Sequence, residues 1–212
     1  MMNVSDIAAI AKIAKKHNLI LIIDNTFLSP YFQNPLKLGT DVVIHSGTKF
    51  IGGHNDTLAG FIVTNNEEIK EQLRFLIKTT GAGLAPFDSW LILRGVKILG
   101  IRMERAQENA KVLAEWLKEQ ARGFGSMITF DVDTKEHALQ ILEGVKMIKY
   151  AESLGGVETL ITYPATQTHA DVPEKIRLKN GITDATLRLS VGIEDVKDLV
   201  NELTGVFRSA EK

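Results

Sequence analysis

Apolar residues follow a helical spacing near the start of the chain and then form a continuous run. Ile7, Ile10 and Ala14 share one helical face, and Ser5 stands in the N-cap position before them. The run at 19–23 has no polar alternation, which is typical of a strand buried on both faces. This part of the chain therefore predicts a helix followed by a buried strand.

Two further strands are predicted, at 41–45 and 58–63. A helix that alternates with strands of this kind favours an α/β fold whose sheet is partly parallel. Helical spacing then dominates, with predicted helices at 67–79, at 90–94 after a cap at Asp88, and at 96–119. The first half of the chain is thus expected to form one sheet-containing domain.

The pattern after the long helix returns to short strands and helices. We place a domain change near the start of that helix, which divides the chain into 1–100 and 101–212. The elements predicted beyond it are a strand at 127–132, a helix at 135–145, strands at 158–161 and 186–191, and a closing helix at 196–207.

The composition and net charge of the chain exclude several classes of protein but do not indicate a function. The 212 residues are 44% hydrophobic and carry a formal net charge of −1, so no general attraction to nucleic acid or to an anionic membrane is expected. The start is not patterned as a signal peptide, and no apolar run is long enough to span a bilayer. The chain has no cysteine, which excludes thiolate metal sites and cysteine nucleophiles and fits a cytoplasmic protein.

Polar side chains follow two of the predicted strands where each strand ends. Asp24 follows the first, and Ser46, Thr48 and Lys49 follow the second. The carboxyl ends of strands form the ligand-binding edge of open α/β sheets. A lysine amine forms an imine with an aldehyde, hydroxyls bind phosphate, and a carboxylate pairs with a protonated ring nitrogen. Turn, cap and solvated-loop roles remain the alternative for these residues.

A metal site and a hydrolase site are weaker interpretations of the same region. His45, His54 and Asp56 lie close in sequence, but the two histidines do not have helical ligand spacing. No serine has the nucleophile-elbow pattern. We predict no metal.

Arg188 stands inside the apolar strand predicted at 186–191. Binding a substrate carboxylate is one reason to keep an arginine there. A structural ion pair or an exposed strand face is the other interpretation, and periodicity alone favours it.

Several motifs in order carry a resemblance to a known family. The segments IDNTF at 23–27 and SGTKFIGGH at 46–54 closely resemble those of the pyridoxal 5'-phosphate (PLP) enzymes of cysteine and methionine metabolism. The resemblance continues at 151–156, 164–169 and 187–195. It implies the fold type I, aspartate aminotransferase-like architecture, with 1–100 as part of the large PLP domain and 101–212 as the interdomain helix and small domain.

The resemblance also implies roles for individual residues. Lys49 matches the lysine that forms an imine with the cofactor and later moves protons. Asp24 matches the partner of the pyridine nitrogen, and Ser46 and Thr48 match the hydroxyls that hold the phosphate. Arg188 matches the residue that binds the substrate α-carboxylate.

Two more positions bear on the substrate by the same resemblance. Ser153 lies where the family adds a further contact to the substrate α-carboxylate, and Glu152 matches a position that helps to set substrate choice. These matches imply γ-replacement on an activated homoserine ester with cysteine or sulfide, as in cystathionine γ-synthase or O-acylhomoserine sulfhydrylase. Cystathionine or methionine γ-lyase activity is the alternative, and an inactive remnant or one half of a two-chain enzyme is the alternative of another class.

The resemblance implies partners and also departures from the family. The family forms homodimers, usually paired into homotetramers, and acts on small amino acids. Its members have further chain before the residue matching Ser5, with a glycine turn for the phosphate and an aromatic residue stacked on the cofactor. They also have a loop where this chain joins directly, at 119–123.

Overall fold

The computed structural model describes residues 4–117 and 126–210. These residues form two compact units, one comprising 4–100 and one that begins at Ile101. The predicted break at 119–123 and the predicted end of the long helix at 119 lie outside the described residues. The assignment of 1–100 and 101–212 to the large and small domains of the family stays a prediction.

The first unit is a three-stranded mixed sheet with helices. Its strand order is β1-β2-β3, with β1 parallel and β3 antiparallel to β2. Its elements in chain order are α1 (Ile7–Lys16), β1 (Ile22–Asp24), α2 (Ser29–Phe32), a 3₁₀ turn (Pro35–Leu38), β2 (Val42–Ser46), a π-helical turn (Gly47–Ile51), β3 (Gly60–Thr64), α3 (Glu67–Thr80) and α4 (Pro86–Lys97).

The first helix begins one residue later than the sequence pattern predicts. Asp6 is the N-cap, and its carboxylate accepts a 3.0 Å hydrogen bond from the Ala9 N–H. The prediction of Ser5 as the cap is therefore wrong. A carboxylate at the cap also interacts favourably with the positive end of the helix dipole.

The first strand is shorter and less buried than predicted. Regular pairing begins at Ile22, and the side chains of Leu19 and Ile20 are exposed. Ile22 is 54% exposed. The reason is that β1 has only β2 beside it among the described residues, so a fully apolar run lies at a sheet edge.

Helices α4 and α5 begin and end at residues other than those predicted. Ala85 is the N-cap position of α4, and Asp88 lies in its first turn, because Pro86 is pre-organised for the first helical position. The predicted helix at 96–119 is divided at Ile98, and α5 (Leu99–Trp116) follows.

The second unit packs helices on a four-stranded sheet of order β4-β7-β6-β5, in which only β5 and β6 are parallel. Beyond α5 its elements are β4 (Met127–Asp131), α6 (Lys135–Gly144), β5 (Lys149–Tyr150), β6 (Leu160–Thr162), α7 (Glu174–Lys179), β7 (Thr186–Ser190) and α8 (Val196–Ala210). The short β5 and α7 have no hydrophobic period that could predict them. The apolar core lies between this sheet and its helices and includes Leu113, Phe130, Ile141, Leu189 and Leu203.

Candidate active site

The carboxyl edge of the first sheet carries the predicted cofactor residues. Asp24 is the last residue of β1 and pairs with Ile44 of the parallel strand β2. Two residues beyond Ile44 the strand ends at Ser46, and the turn that contains Thr48 and Lys49 follows. Parallel pairing therefore brings Asp24 and these three residues to one edge, as the sequence predicts.

The turn after β2 places Lys49 by backbone bonds rather than by a regular helix. Lys49 has φ −91° and ψ −128°, which interrupts the π-helical turn. The Gly47 N–H donates to the Ala59 carbonyl (2.8 Å), and the Gly53 N–H donates to the Lys49 carbonyl (2.8 Å). Both ends of the segment are thus tied, and the lysine side chain is half-buried at the sheet edge.

A threonine connects the two strand ends. The Thr26 N–H donates to Asp24 Oδ1 (2.9 Å), and Thr26 Oγ1 accepts from the Ser46 N–H (2.8 Å). Sequence reasoning included Thr26 in the motif at 23–27 but gave it no role. Its partner is 20 residues away, so only strand pairing shows that one hydroxyl links Asp24 to Ser46.

The Thr48 hydroxyl makes two contacts with the backbone of Ala59, 11 residues away. Thr48 Oγ1 accepts from the Ala59 N–H (3.0 Å) and lies 3.4 Å from the Ala59 carbonyl. The second distance is long for a hydrogen bond donated by a hydroxyl, so the Thr48 proton is only weakly engaged and can turn to an anion. Ser46 is half-buried, with its main chain fixed by Thr26. Both side chains suit a phosphate.

His45 is buried beneath this edge and is 6% exposed. Burial lowers the pKa of His45, while the Asp24 charge and a hydrogen bond with the Asn25 backbone oppose that effect. Its Nδ1 has no hydrogen-bond partner among the described residues. No cluster of three or more metal-ligating side chains lies in the described part of the chain.

Arg188 lies in β7, an interior strand of the second sheet, and is only 7% exposed. Its Nη2 lies 3.4 Å from Thr162 Oγ1 on the neighbouring strand, and Nε has no partner among the residues that the structure describes. Burial lowers the pKa of the guanidinium, and Glu152 opposes this effect. A buried guanidinium with an unsatisfied donor is suited to binding a carboxylate.

The loop between β5 and β6 carries the two remaining candidates. Glu152 is exposed and acts electrostatically on Arg188, and Ser153 is half-buried in the same loop. The Gly155 N–H donates to Ser190 Oγ (2.8 Å), which ties the loop to the strand of Arg188. The candidate substrate-binding residues of the second unit are therefore Glu152, Ser153 and Arg188.

Sequence reasoning gave no role to two neighbours of Arg188. Thr162 reaches it through the register of β6 against β7, which no local pattern reveals. The pKa of His169 is lowered by burial, and then by Arg188 and Arg177. His169 stands within the motif at 164–169, so that motif was the available signal.

Comparison with known proteins gives one family. A family model described as "Cys/Met metabolism PLP-dependent enzyme" matches residues 1–122 and 117–208. The two matches meet at 117–122, in the stretch where the sequence analysis places a direct join.

Curated relatives are similar over nearly the whole chain. It is 50% identical to cystathionine gamma-synthase of Haemophilus influenzae, covering 98% of this chain and 58% of the relative. It is 50% identical to cystathionine gamma-synthase/O-acetylhomoserine (thiol)-lyase of Bacillus subtilis, covering 96% and 56%. Cystathionine gamma-lyase of Bacillus subtilis is 44% identical, with 96% and 60% covered. The chain thus spans under two thirds of the length of these relatives.

Solved structures show the same architecture. Cystathionine gamma-lyase from Lactobacillus plantarum complexed with L-serine matches with a TM-score of 0.94 at 40% identity, covering 99% of this chain and 61% of that one. Cystathionine gamma synthase from Xanthomonas oryzae in complex with cystathionine matches with a TM-score of 0.93 at 36% identity, covering 98% and 60%. The predicted PLP fold type I architecture is confirmed by these matches. Within the described ranges no helix has the length and apolarity to cross a membrane.

Proposed function

Because the chain belongs to the Cys/Met metabolism family of PLP-dependent enzymes, we propose that it serves γ-replacement on an activated homoserine ester, with cysteine or sulfide as the nucleophile. The observation that carries the proposal is one sheet edge that holds Asp24, Ser46, Thr48 and Lys49 together. This set supplies a carboxylate, two hydroxyls and an amine where α/β sheets bind ligands.

The residues of that edge fit PLP. Asp24 would pair with the ring nitrogen, Ser46 and Thr48 would bind the phosphate, and the amine of Lys49 would bind the aldehyde carbon. The weakly held proton of the Thr48 hydroxyl supports the phosphate role, because little is lost when it turns to an anion. Bound PLP supplies an electron sink for charge that develops at the α-carbon of the substrate.

Lys49 has a second role in this proposal. With substrate bound, its amine would remove the proton from the substrate α-carbon and would return protons at neighbouring carbons. Removal of a proton from Cβ would then allow the acyloxy group on Cγ to leave as a carboxylate, and the sulfur of cysteine or sulfide would bond to Cγ in its place. The negative charge of Asp24 would favour the protonated form of the ring nitrogen in bound PLP, which would assist these steps.

Arg188 orients the substrate in the same proposal. Its buried, partly unsatisfied guanidinium would bind the α-carboxylate, with Ser153 as an added contact. Glu152 lies exposed beside this group and would select the amino acid by its distal charge.

Identity favours the synthase reaction over the lyase reaction. The chain is 50% identical to two relatives named as gamma-synthases, 44% to a gamma-lyase and 40% to cystathionine beta-lyase of Lactococcus lactis. Cystathionine γ-lyase activity is the second candidate, which the structural match to the Lactobacillus plantarum enzyme favours. We place either activity in a cytoplasmic homodimer or homotetramer that handles small amino acids.

The first test asks whether this chain holds PLP. We expect a visible absorbance band when PLP is added, and borohydride reduction followed by peptide mass mapping should trap the adduct on Lys49. The matched control is Lys15→Ala, which should keep the band that Lys49→Ala loses. A pure chain that gives no specific adduct would instead support the remnant or two-chain alternative.

The second test separates the two reactions. O-acetylhomoserine or O-succinylhomoserine with cysteine or sulfide should give the thioether or thiol product. Turnover of cystathionine alone, with no reaction of either ester, would assign the γ-lyase activity instead.

A further inference from the structure

A closed set of side-chain hydrogen bonds surrounds Asn25, the residue directly after Asp24. The Asn25 Nδ2 donates to the Ser29 carbonyl (3.0 Å) and to the Gln33 carbonyl (2.9 Å). Its Oδ1 accepts from Gln33 Nε2 (2.8 Å). Asn25 is 2% exposed, so a bond left unmade would leave a buried amide group without a partner, which is costly.

The backbone of Asn25 is held as firmly as its side chain. Its N–H donates to the Ile44 carbonyl of β2 (2.9 Å), and its carbonyl accepts from the Ser29 N–H (3.0 Å). Ser29 has φ +57°, a left-handed conformation that is unfavourable for a residue other than glycine. The bonds to Asn25 hold this turn in place.

The carboxylate beside this anchor lacks comparable packing of its own. Asp24 is exposed, and the bond that orients it comes from the N–H of Thr26, on the other side of Asn25. Asn25 thus stands between the carboxylate and the group that orients it. Rotation of the Asn25 main chain would move both.

We propose that Asn25 and Gln33 are positioning residues that fix the direction of the Asp24 carboxylate toward the PLP ring nitrogen. The inference rests on the role proposed above for Asp24. The chemistry requires an amide at position 25 and a donor at position 33, because Asn25 must both donate to carbonyls and accept from Gln33, and neither an aspartate nor a leucine can do both.

The variants follow from this requirement. Asn25→Asp keeps the volume but turns an acceptor toward the carbonyls of Ser29 and Gln33. Gln33→Glu turns a carboxylate toward Asn25 Oδ1, but the protonated form of the new side chain can again donate a hydrogen bond. Asn66→Ala is the matched control, since it removes an asparagine that caps α3 through the Ile69 N–H in the same unit.

The measurement is amide hydrogen exchange at Thr26 and Ser46, which requires no cofactor. Relative to the unaltered chain, protection of both amides should fall about tenfold or more in Asn25→Asp and in Gln33→Glu at neutral pH. In Gln33→Glu it should recover near pH 4, where a glutamic acid side chain is largely protonated. Asn66→Ala should leave both amides protected.

Unchanged protection in folded Asn25→Asp would overturn the inference, as would an equal loss in Asn66→Ala. If Asn25→Asp does not fold, Gln33→Glu decides, and loss of protection without recovery at low pH would refute the positioning role. A chain that shows the recovery but binds no PLP would contradict the proposed function and leave the positioning of Asp24 intact.

Discussion

The candidate cofactor residues of the first unit and the candidate substrate-binding residues of the second unit differ in burial and in hydrogen bonding. Asp24 is exposed and oriented by its neighbours, whereas Arg188 is buried and its Nε has no partner among the described residues. His45 is buried with a lowered pKa, and its Nδ1 likewise lacks a partner within the described ranges. A buried polar group without a hydrogen-bond partner costs free energy. Such a residue is therefore expected either to bind a ligand or to make the stability of the fold depend on pH.

Arg188→Lys should raise the KM for the amino-acid substrate about 10- to 100-fold with a smaller change in kcat, because a lysine cannot bind a carboxylate with two parallel hydrogen bonds. Steady-state kinetics of the PLP-loaded protein would measure this. The matched control is Arg208→Lys, near the end of α8. An unchanged KM in Arg188→Lys would assign that residue a structural role.

His45 should make the fold less stable in mild acid. Its pKa in the folded chain lies below the unfolded value of 6.5, so the unfolded chain takes up the proton first. The stabilising contribution is complete above pH 6.5 and is lost as the pH falls through the folded pKa, at about 1.4 kcal/mol for each unit of lowering. His169 has the same direction of shift and adds to this effect.

Urea unfolding between pH 7.5 and pH 5 tests the contribution of His45. The unfolding free energy of His45→Gln should depend less on pH than that of the unaltered chain. Gln140→Ala, at an exposed position that carries no titratable group, should keep the original slope. Equal slopes in all three proteins would remove His45 as a source of acid sensitivity.

At the scale of elements, close backbone contacts decide where the Lys49 turn lies. A Cβ added to Gly95 of α4 would stand 2.2 Å from the Gly52 carbonyl oxygen. A Cβ on Gly47 would stand 2.6 Å from the Phe61 ring. Strand β3 therefore lies against the start of the turn, and helix α4 lies against its end. Both contacts are so close that only glycine fits at Gly47 and Gly95.

Gly95→Ala should destabilise the chain by about 1–3 kcal/mol, because the added methyl group forces α4 away from Gly52. Gly205→Ala is the matched control, since a Cβ there meets nothing within 4 Å. That substitution within α8 should stabilise by about 0.5–1 kcal/mol. Denaturant unfolding measures both changes, and equal stability of the two variants would contradict this account of the turn.

At the scale of the whole molecule, the two units differ in how completely their apolar residues are covered. The second unit has a continuous core, whereas α3 in the first unit has no buried residue. The exposed side of α4 carries the ring pair Phe87 and Trp90, which are 67% and 51% exposed. Apolar surface of this kind favours association.

We therefore expect association that depends on concentration and involves α4. Sedimentation of the double variant Phe87→Ser and Trp90→Ser should show a clearly smaller associated fraction than the unaltered chain. Ile176→Ser with Leu178→Ser, on exposed positions of α7, is the control and should associate as before. Loss of association in the control alone would show that α7 carries the contact.

The sequence by itself predicted the class of fold, most of the helices and strands, and the family. Local information sufficed for these, because hydrophobic spacing reports which face of an element is buried and the motif around Lys49 is a continuous segment. The prediction of Ser5 as the helix cap was wrong because Ser5 and Asp6 are both capping residues and stand side by side. The prediction of a fully buried first strand was wrong because burial depends on what packs beside a strand, and β1 lies at the sheet edge among the described residues.

Only the tertiary structure decided which distant groups meet. The Thr26 hydroxyl binds the Ser46 N–H, Thr162 reaches Arg188, and Gly95 packs on Gly52 across segments that have no relation in sequence spacing. Each contact depends on strand register or on the close approach of two backbones. The spacing of apolar residues along the chain indicates whether a segment is a helix or a strand, but not which segment packs against it. These contacts can therefore be identified only in the packed structure.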